Sequence, residues 1–407
     1  MEAIKDDDEF EWLDPFSESS EPKLRPPKVE PGILSIAGSR VLSEPLVAQR
    51  LITAGQGGLL LADRTEAISA AIPIWGNGLA TAVATLIPSP EEGRDSDQKI
   101  RRDRRRLQEQ FLSSQSKWPD LGSIGKTAFL ICADHKPPEY GLPRQLYPQH
   151  LHASLVDRSS FSLLLDQLIA AVSPETRLVW EDARTALREG LTTIVYETFK
   201  NTHDHARTEF NGADVRTSIR GLFAKFYAIE ELGEGNPVGE TDYQTPPETY
   251  MRNLFPRQSA PGLRAKAIPT IRGFLELSVL DSGPGMAARW KGVAGDTMNP
   301  SEQLDMVLNC IRKGQSSTGS NGRGYGLWRV LQALEQLRGF MSIRTNAVHA
   351  FRQFAHTIDI GKSELPGGLF VPKERLLDWK RGVSTSPSSY PGVKGTVVSF
   401  LLPVGRA

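Results

Sequence analysis

Four polar side chains, spaced three and four residues apart, are the first place in this sequence where chemistry could be done. Glu197, Asn201, Asp204 and His205 lie in LTTIVYETFKNTHDHA, residues 191–206. At about 100° per residue they fall on one flank of a helix. The neighbouring stripe of Ala183, Leu187, Leu191, Ile194, Val195 and Thr198 is the face such a helix would bury. A carboxylate, an amide, a second carboxylate and an imidazole would then stand together at the edge of a buried surface. That placement is costly unless the groups meet water, a metal or a ligand.

Two later stretches supply what the helix could face. GFLELSVLD at 273–281 alternates as a strand does, and DSGPG at 281–285 ends it. Gly283 and Gly285 let the backbone turn sharply and let a flat ligand approach. A carboxylate such as Asp281 can accept the exocyclic amine proton of adenine there, although alone this pattern is an ordinary strand-end turn. The second stretch, GRGYGL, opens an amphipathic helix with Gly322, Arg323, Gly324, Tyr325, Gly326 and Leu327. Alternate glycines bare several N–H groups, and the helix dipole adds positive charge, so phosphate oxygens are favoured. It is not the dinucleotide GxGxxG spacing, because Leu327 stands where a third glycine would be. The preceding KGQSSTGSN at 313–321 is small and polar enough to fold over a bound nucleotide, and Lys313 and Arg323 could reach phosphate from it.

The order Glu-xxx-Asn-xx-Asp-His, Asp-x-Gly-x-Gly, Gly-x-Gly-x-Gly-Leu and a late Gly395-Thr396 resembles the GHKL ATP-binding superfamily. That group joins gyrase B subunits, heat-shock chaperone ATPases, mismatch-repair ATPases and histidine kinases. The resemblance covers residues 174–405. It implies an α/β sandwich, the Bergerat ATP-binding fold, with helices on a mixed, mostly antiparallel sheet and ATP between helices and lid. By the same resemblance, Asn201 is the Mg²⁺ ligand and Glu197 the general base. Asp281 reads adenine, Gly283 and Gly285 shape the wall beside it, and Gly322, Gly324 and Gly326 cradle phosphate. Tyr325, Leu327 and Thr396 complete the cofactor-binding set. Asp204 matches the gyrase-like branch and His205 the anti-sigma-factor serine-kinase branch, so the branch stays open. Lys200 is read as a surface residue.

The elements that must position these residues follow from periodicity. One long helix, or two joined near Gly190, is expected over 180–206, and helices over 46–53, 98–111, 161–172, 302–313 and 327–338. Strands are expected at 58–61, 127–132, 215–229, 273–281, 340–345, 351–360 and 396–402. Residues 67–88 carry no charge, but Pro73 and Gly76-Asn77-Gly78 interrupt them, so a β-hairpin turning at 76–78 is expected rather than a membrane span. Residues 231–262 read as a loop rich in Gly, Pro and charge. Three regions result: an acidic, proline-rich tail over 1–32, expected to be disordered; a smaller α/β domain over 33–173; and the ATP-binding domain over 174–407, with Pro174 at the boundary. Phe10, Trp12, Leu13 and Phe16 fit a docking segment within the tail, and the resemblance suggests a dimerisation arm.

Bulk properties narrow the function classes. Of 407 residues, 48 are Lys or Arg and 48 are Asp or Glu, so no global charge bias points to nucleic acid or an anionic membrane. The basic run KIRRDRRR at 99–106 lacks interleaved aromatics and reads as a solvated helix face. Two cysteines without CxxC spacing exclude a disulfide scaffold and a cysteine zinc site, and fit a reducing cytoplasm. GSIGKT at 122–127 is not a P-loop, because Asp120 occupies the required glycine position. The expectation is an ATPase that uses ATP and Mg²⁺ to switch conformation or dimer state, as a homodimer or on a protein partner. The alternatives are a protein serine or histidine kinase acting in trans, and an ATP-sensing module without turnover. Autophosphorylation in cis is not expected. His135 lies in DHKPP, which cannot be a helix interior, and His150 and His152 lack a following acidic residue and proline.

Overall fold

The computed structural model describes residues 41–56, 78–87, 98–115, 127–148, 154–172, 184–229, 245–254, 271–312, 325–355, 357–359, 362–365, 369–372 and 375–405. In chain order the elements are α1 (Ser43–Gln56), α2 (Leu79–Leu86), α3 (Gln98–Gln115), β1 (Thr127–Ala133), α4 (Pro138–Gly141), α5 (Arg158–Val172), α6 (Arg184–His205), β2 (Ile219–Ala228), α7 (Pro246–Leu254), β3 (Ile271–Asp281), α8 (Met286–Lys291), α9 (Pro300–Ile311) and α10 (Gly326–Gln336). The rest are β4 (Phe340–Asn346), β5 (Val348–Gln353), β6 (Thr357–Asp359), β7 (Lys362–Leu365), β8 (Leu369–Pro372), β9 (Leu377–Asp378) and β10 (Val393–Gly405).

A seven-stranded sheet runs in the order β1-β2-β3-β10-β4-β5-β9. Every neighbouring pair in it is antiparallel, so among the described residues the mixed sheet expected from the resemblance is not found. Even β3 and β10, far apart in sequence, run in opposite directions over nearly their full lengths. The strand expected across 351–360 is divided. Its first part belongs to β5, and β6 pairs with β7 and β8 in a three-stranded antiparallel sheet.

The large sheet is buried on both faces. Along β3, Leu275, Leu277, Val279 and Asp281 point one way, and Phe274, Glu276, Ser278 and Leu280 the other. Such alternation ordinarily marks a wet face. Here helices cover both sides. On the first face α5, α6, α9 and α10 bring Phe161, Ile194, Phe199, Val307 and Leu331 onto Leu222, Leu277, Val279, Val398 and Phe400. On the second, α1 and α2 bring Val47, Ile52, Leu79 and Val83 onto Ile131, Phe223, Leu280 and Val397. Further along that face, α7 packs Tyr250 and Met251 with Phe274, Phe340, Phe351 and Trp379.

Three expectations are corrected. The separate α/β domain over 33–173 is not a separate unit among the described residues. β1 is hydrogen-bonded to β2 as the edge of the same sheet, and α1, α2 and α5 pack into cores shared with residues beyond 174. The hairpin expected to turn at 76–78 is replaced, from Leu79 onward, by α2. Leu79, Val83 and Leu86 are all buried at helical spacing, and a short apolar run satisfies period 2 and period 3.6 alike. Within the expected loop, α7 forms because Glu248 accepts the Thr245 N–H at 2.9 Å, while Tyr250 and Leu254 enter the core four residues apart. The tail over 1–32, the strand at 58–61, residues 67–77, the glycines at 122–125 and His150 and His152 lie outside the described residues. Among those described, no helix is long and apolar enough to cross a membrane.

Candidate functional site

The helix α6 is held to the sheet by aromatic packing and by one buried polar chain. Phe199 is fully buried, 6.1 Å from Phe161 between ring centroids, with the Arg220 guanidinium 5.7 Å from its own ring. Arg220, on β2, is also fully buried and forms a two-pronged pair with Asp134, Nε to Oδ2 at 2.8 Å and Nη2 to Oδ1 at 2.6 Å. Its Nη1 donates to the Tyr147 hydroxyl at 2.7 Å, and that hydroxyl lies 2.9 Å from His203 Nδ1 on α6. Arginine can only donate, so the Tyr147 oxygen accepts from Arg220 and its hydroxyl shares a hydrogen bond with His203 Nδ1. Burial, with Arg207 and Arg220 nearby, pushes His203 down to about 4, which keeps the ring neutral. With the 191, 194, 195 and 199 stripe thus fixed inward, Glu197, Asn201, Asp204 and His205 are carried along the helix edge.

The end of β3 forms the floor. The Asp281 carboxylate accepts the Gly283 N–H at 2.9 Å and a further backbone N–H from Thr396. Burial outweighs those hydrogen bonds and pushes its carboxyl up to about 6. Gly395 is what allows β10 to come so close. It has φ of +73°, and a Cβ there would stand 1.8 Å from the Asp281 carbonyl oxygen. Its N–H donates to the Gly283 carbonyl at 2.7 Å, which ties the DSGPG turn to the start of β10. Gly285, at φ +87°, redirects the chain into α8 where a Cβ would strike the Asn346 amide.

The opposite wall comes from α8, α9 and the first turn of α10. Between these walls lies a cavity of about 280 Å³. It is lined by Glu197, Asn201, Asp204 and His205 from α6, by Asp281 and Thr396 from the floor, and by Gly285, Tyr325, Gly326 and Leu327. Three separated sequence motifs therefore meet at one opening. Gly283 stands just behind the lining, bonded to Asp281. Lys313, Gly322, Arg323 and Gly324 lie outside the described residues, as does the 313–321 segment.

The structure also modifies individual readings. Lys200, read as a surface residue, lines the cavity and pairs with Asp204 at 2.5 Å, so Asp204 meets a cation of its own helix. Glu197 is 16% exposed and faces two guanidiniums, Arg329 Nη1 at 3.7 Å and Arg158 Nη1 at 3.9 Å. A Cβ on Gly326 would lie 3.1 Å from Glu197 Oε2, so the carboxylate fronts the start of α10. Sequence reasoning missed Met286, Arg289, Trp290, Cys310 and Arg329, all of which line the cavity. Met286, Arg289 and Trp290 follow DSGPG on the next helix, and Arg329 sits one turn into α10, so adjacency to the motifs was the available signal. Cys310 carries no such signal, and burial pushes its thiol up to about 12, far from a reactive thiolate.

Among the described residues no cluster of three or more His, Cys, Asp or Glu could cage a metal. The polar groups that border the cavity are an amide, an imidazole, hydroxyls, acceptor carboxylates and donor cationic side chains, a set suited to a charged polar ligand. Comparison with protein-family models, with curated proteins and with solved structures gave no match to this chain.

Proposed function

We propose that the chain is an ATP-binding protein of the GHKL type that hydrolyses ATP with Mg²⁺ to drive a change of conformation or partner. The observation that carries the reading is the convergence, in one cavity, of Glu197 and Asn201 from α6, Asp281 and Thr396 from the sheet, and Gly326 at the head of α10. Asp281 is buried yet borders the cavity, the position for an acceptor of the adenine amine. Among the described residues, Tyr325 puts no side-chain cap on the first turn of α10, which favours phosphate oxygens as partners for its N–H groups.

The residues fit Mg²⁺ only as an ion that arrives with phosphates. Asn201 offers one hard amide oxygen, and Mg²⁺ ordinarily takes one or two protein ligands with water and phosphate completing the shell. When bound there it would neutralise phosphate charge. The chain's own part is to place Glu197 on the same helix edge, four residues before Asn201, where its carboxylate can take a proton from the attacking water.

The test pairs two substitutions on the full-length protein. Glu197→Ala should retain ATP binding and lower phosphate release by about 10²–10⁴-fold. Asp281→Asn should weaken nucleotide binding by about 10–100-fold, the equivalent of one hydrogen bond to a charged group. Undiminished binding in Asp281→Asn would overturn the site. Labelling of a partner without phosphate release would favour a kinase acting in trans, and binding with neither would favour a sensor.

A further inference from the structure

The reading above leaves unexplained why a carboxylate placed to activate water should face two arginines. Arg329, on α10, lines the cavity and is 55% exposed, and its Nη1 stands 3.7 Å from Glu197 Oε1. That is beyond hydrogen-bond distance, so the attraction is a loose one across the opening. Arg158, at the start of α5, is 3.9 Å from the same oxygen but does not line the cavity, and it donates to the Thr193 hydroxyl. The two cations are therefore unequal. One has a side-chain partner outside the cavity, and the other has the cavity in front of it.

We propose that Arg329 reads the terminal phosphate of a bound nucleoside triphosphate, leaving Glu197 when that phosphate arrives. This rests on the nucleotide reading of the cavity. A guanidinium offers its planar fork to phosphate oxygens in pairs, which a single carboxylate oxygen at 3.7 Å does not engage. A terminal phosphate also carries more charge than Glu197. A carboxylate that faces guanidinium presents its oxygens to the cation rather than to water. Arg158 stays beside Glu197 outside the cavity lining, so transfer of Arg329 to phosphate opens only the cavity side of the carboxylate to a water, and only when the third phosphate is present. A nucleoside diphosphate, lacking that group, leaves the pair of Arg329 and Glu197 in place. No bond is made or broken in this step, and the same residue couples recognition of the triphosphate to release of the base.

The measurement is the affinity of the full-length protein for ADP and for a non-hydrolysable ATP analogue, each with Mg²⁺, in the wild type and three variants. Arg329→Gln should leave ADP affinity within about twofold and weaken the analogue by about tenfold or more, one charged hydrogen bond's worth. Arg329→Lys should recover part of the preference, because the charge returns without the fork. Arg158→Gln should leave the ratio unchanged. Equal losses for both nucleotides in Arg329→Gln, or an unchanged ratio, would overturn the role of Arg329 while leaving the cavity's nucleotide reading intact. A wild-type protein that binds neither nucleotide would overturn both.

Discussion

Both faces of the seven-stranded sheet bury a carboxylate from β3, and the two are handled in opposite ways. On the α1 face, Glu276 is consumed by the protein itself. Its Oε2 accepts the Tyr227 hydroxyl at 2.6 Å and the Leu42 N–H at 3.2 Å, and its Oε1 accepts Ser278 at 3.1 Å. Glu44 on the same face accepts the Leu79 N–H at 2.7 Å and so links α1 to α2. On the α6 face, Asp281 takes backbone N–H groups yet borders a cavity. Burial raises the carboxyl of all three, Glu44 to about 7 and Asp281 to about 6. A displaced pKa therefore does not by itself distinguish a site from a structural joint. What separates them is whether neighbouring groups of the same chain, or an open space, complete the hydrogen bonding.

The largest expected effect tests how the α6 face is anchored. Arg220→Met leaves Asp134 without its buried cation and should lower stability by about 3–5 kcal/mol, read from the urea midpoint of unfolding. A midpoint equal to wild type would mean that α6 does not depend on that chain. Next in size is a crossed pair. Glu276→Gln should cost about 1–3 kcal/mol of stability, because Tyr227, Leu42 and Ser278 use both carboxylate oxygens as acceptors and an amide offers only one, and should leave nucleotide affinity unchanged. Asp281→Asn should do the reverse, weakening binding with little change in unfolding. If both variants moved the same observable, the distinction between the faces would fail.

Acidity sharpens the same contrast. Glu44 titrates near 7 in the folded chain against an ordinary 4.5, so its contribution to stability is fully present below about pH 4.5 and is lost as pH rises through about 7. Glu44→Gln mimics the protonated form. It should match wild type at pH 5 and exceed it at pH 8 by at most about 2–3 kcal/mol, measured as paired unfolding curves. A constant difference across that range would contradict the assignment. His203 has the opposite sign, its contribution being present above about pH 6.5 and lost as pH falls through about 4. For Asp281 the consequence is in binding. Nucleotide affinity should decline as pH falls through about 6, where its carboxyl gains a proton, and Asp281→Asn should flatten that dependence. The smallest effect belongs to the half-exposed pair of Lys200 and Asp204. Lys200→Ala should change stability by less than about 1 kcal/mol, and a larger loss would make that pair structural.

Much of the site was legible because its residues obey local rules. The period of 3.6 placed Glu197, Asn201 and His205 on one helix edge, and glycines marked the turn at Asp281 and the head of α10. These signals survive without tertiary context. Of the residues missed, Met286, Arg289, Trp290 and Arg329 only adjoin the motifs and Cys310 is remote from them, and each lines the cavity from a packed helix. The hairpin expected at 76–78 failed for a related reason: Leu79–Leu86 suits either period, and burial against β2 and β3 chose the helix.

The sequence by itself determined the elements that carry the chemistry, since side-chain spacing and backbone freedom at glycine act over a few residues. Only the tertiary structure decided that β1 joins the sheet beyond Pro174, that Glu276 and Asp281 from one strand serve different ends, and that Glu197 meets Arg329. Those outcomes depend on which surfaces close against each other. Strand partners and the ends of packed helices are set by the burial of both faces at once, which no short stretch of sequence encodes.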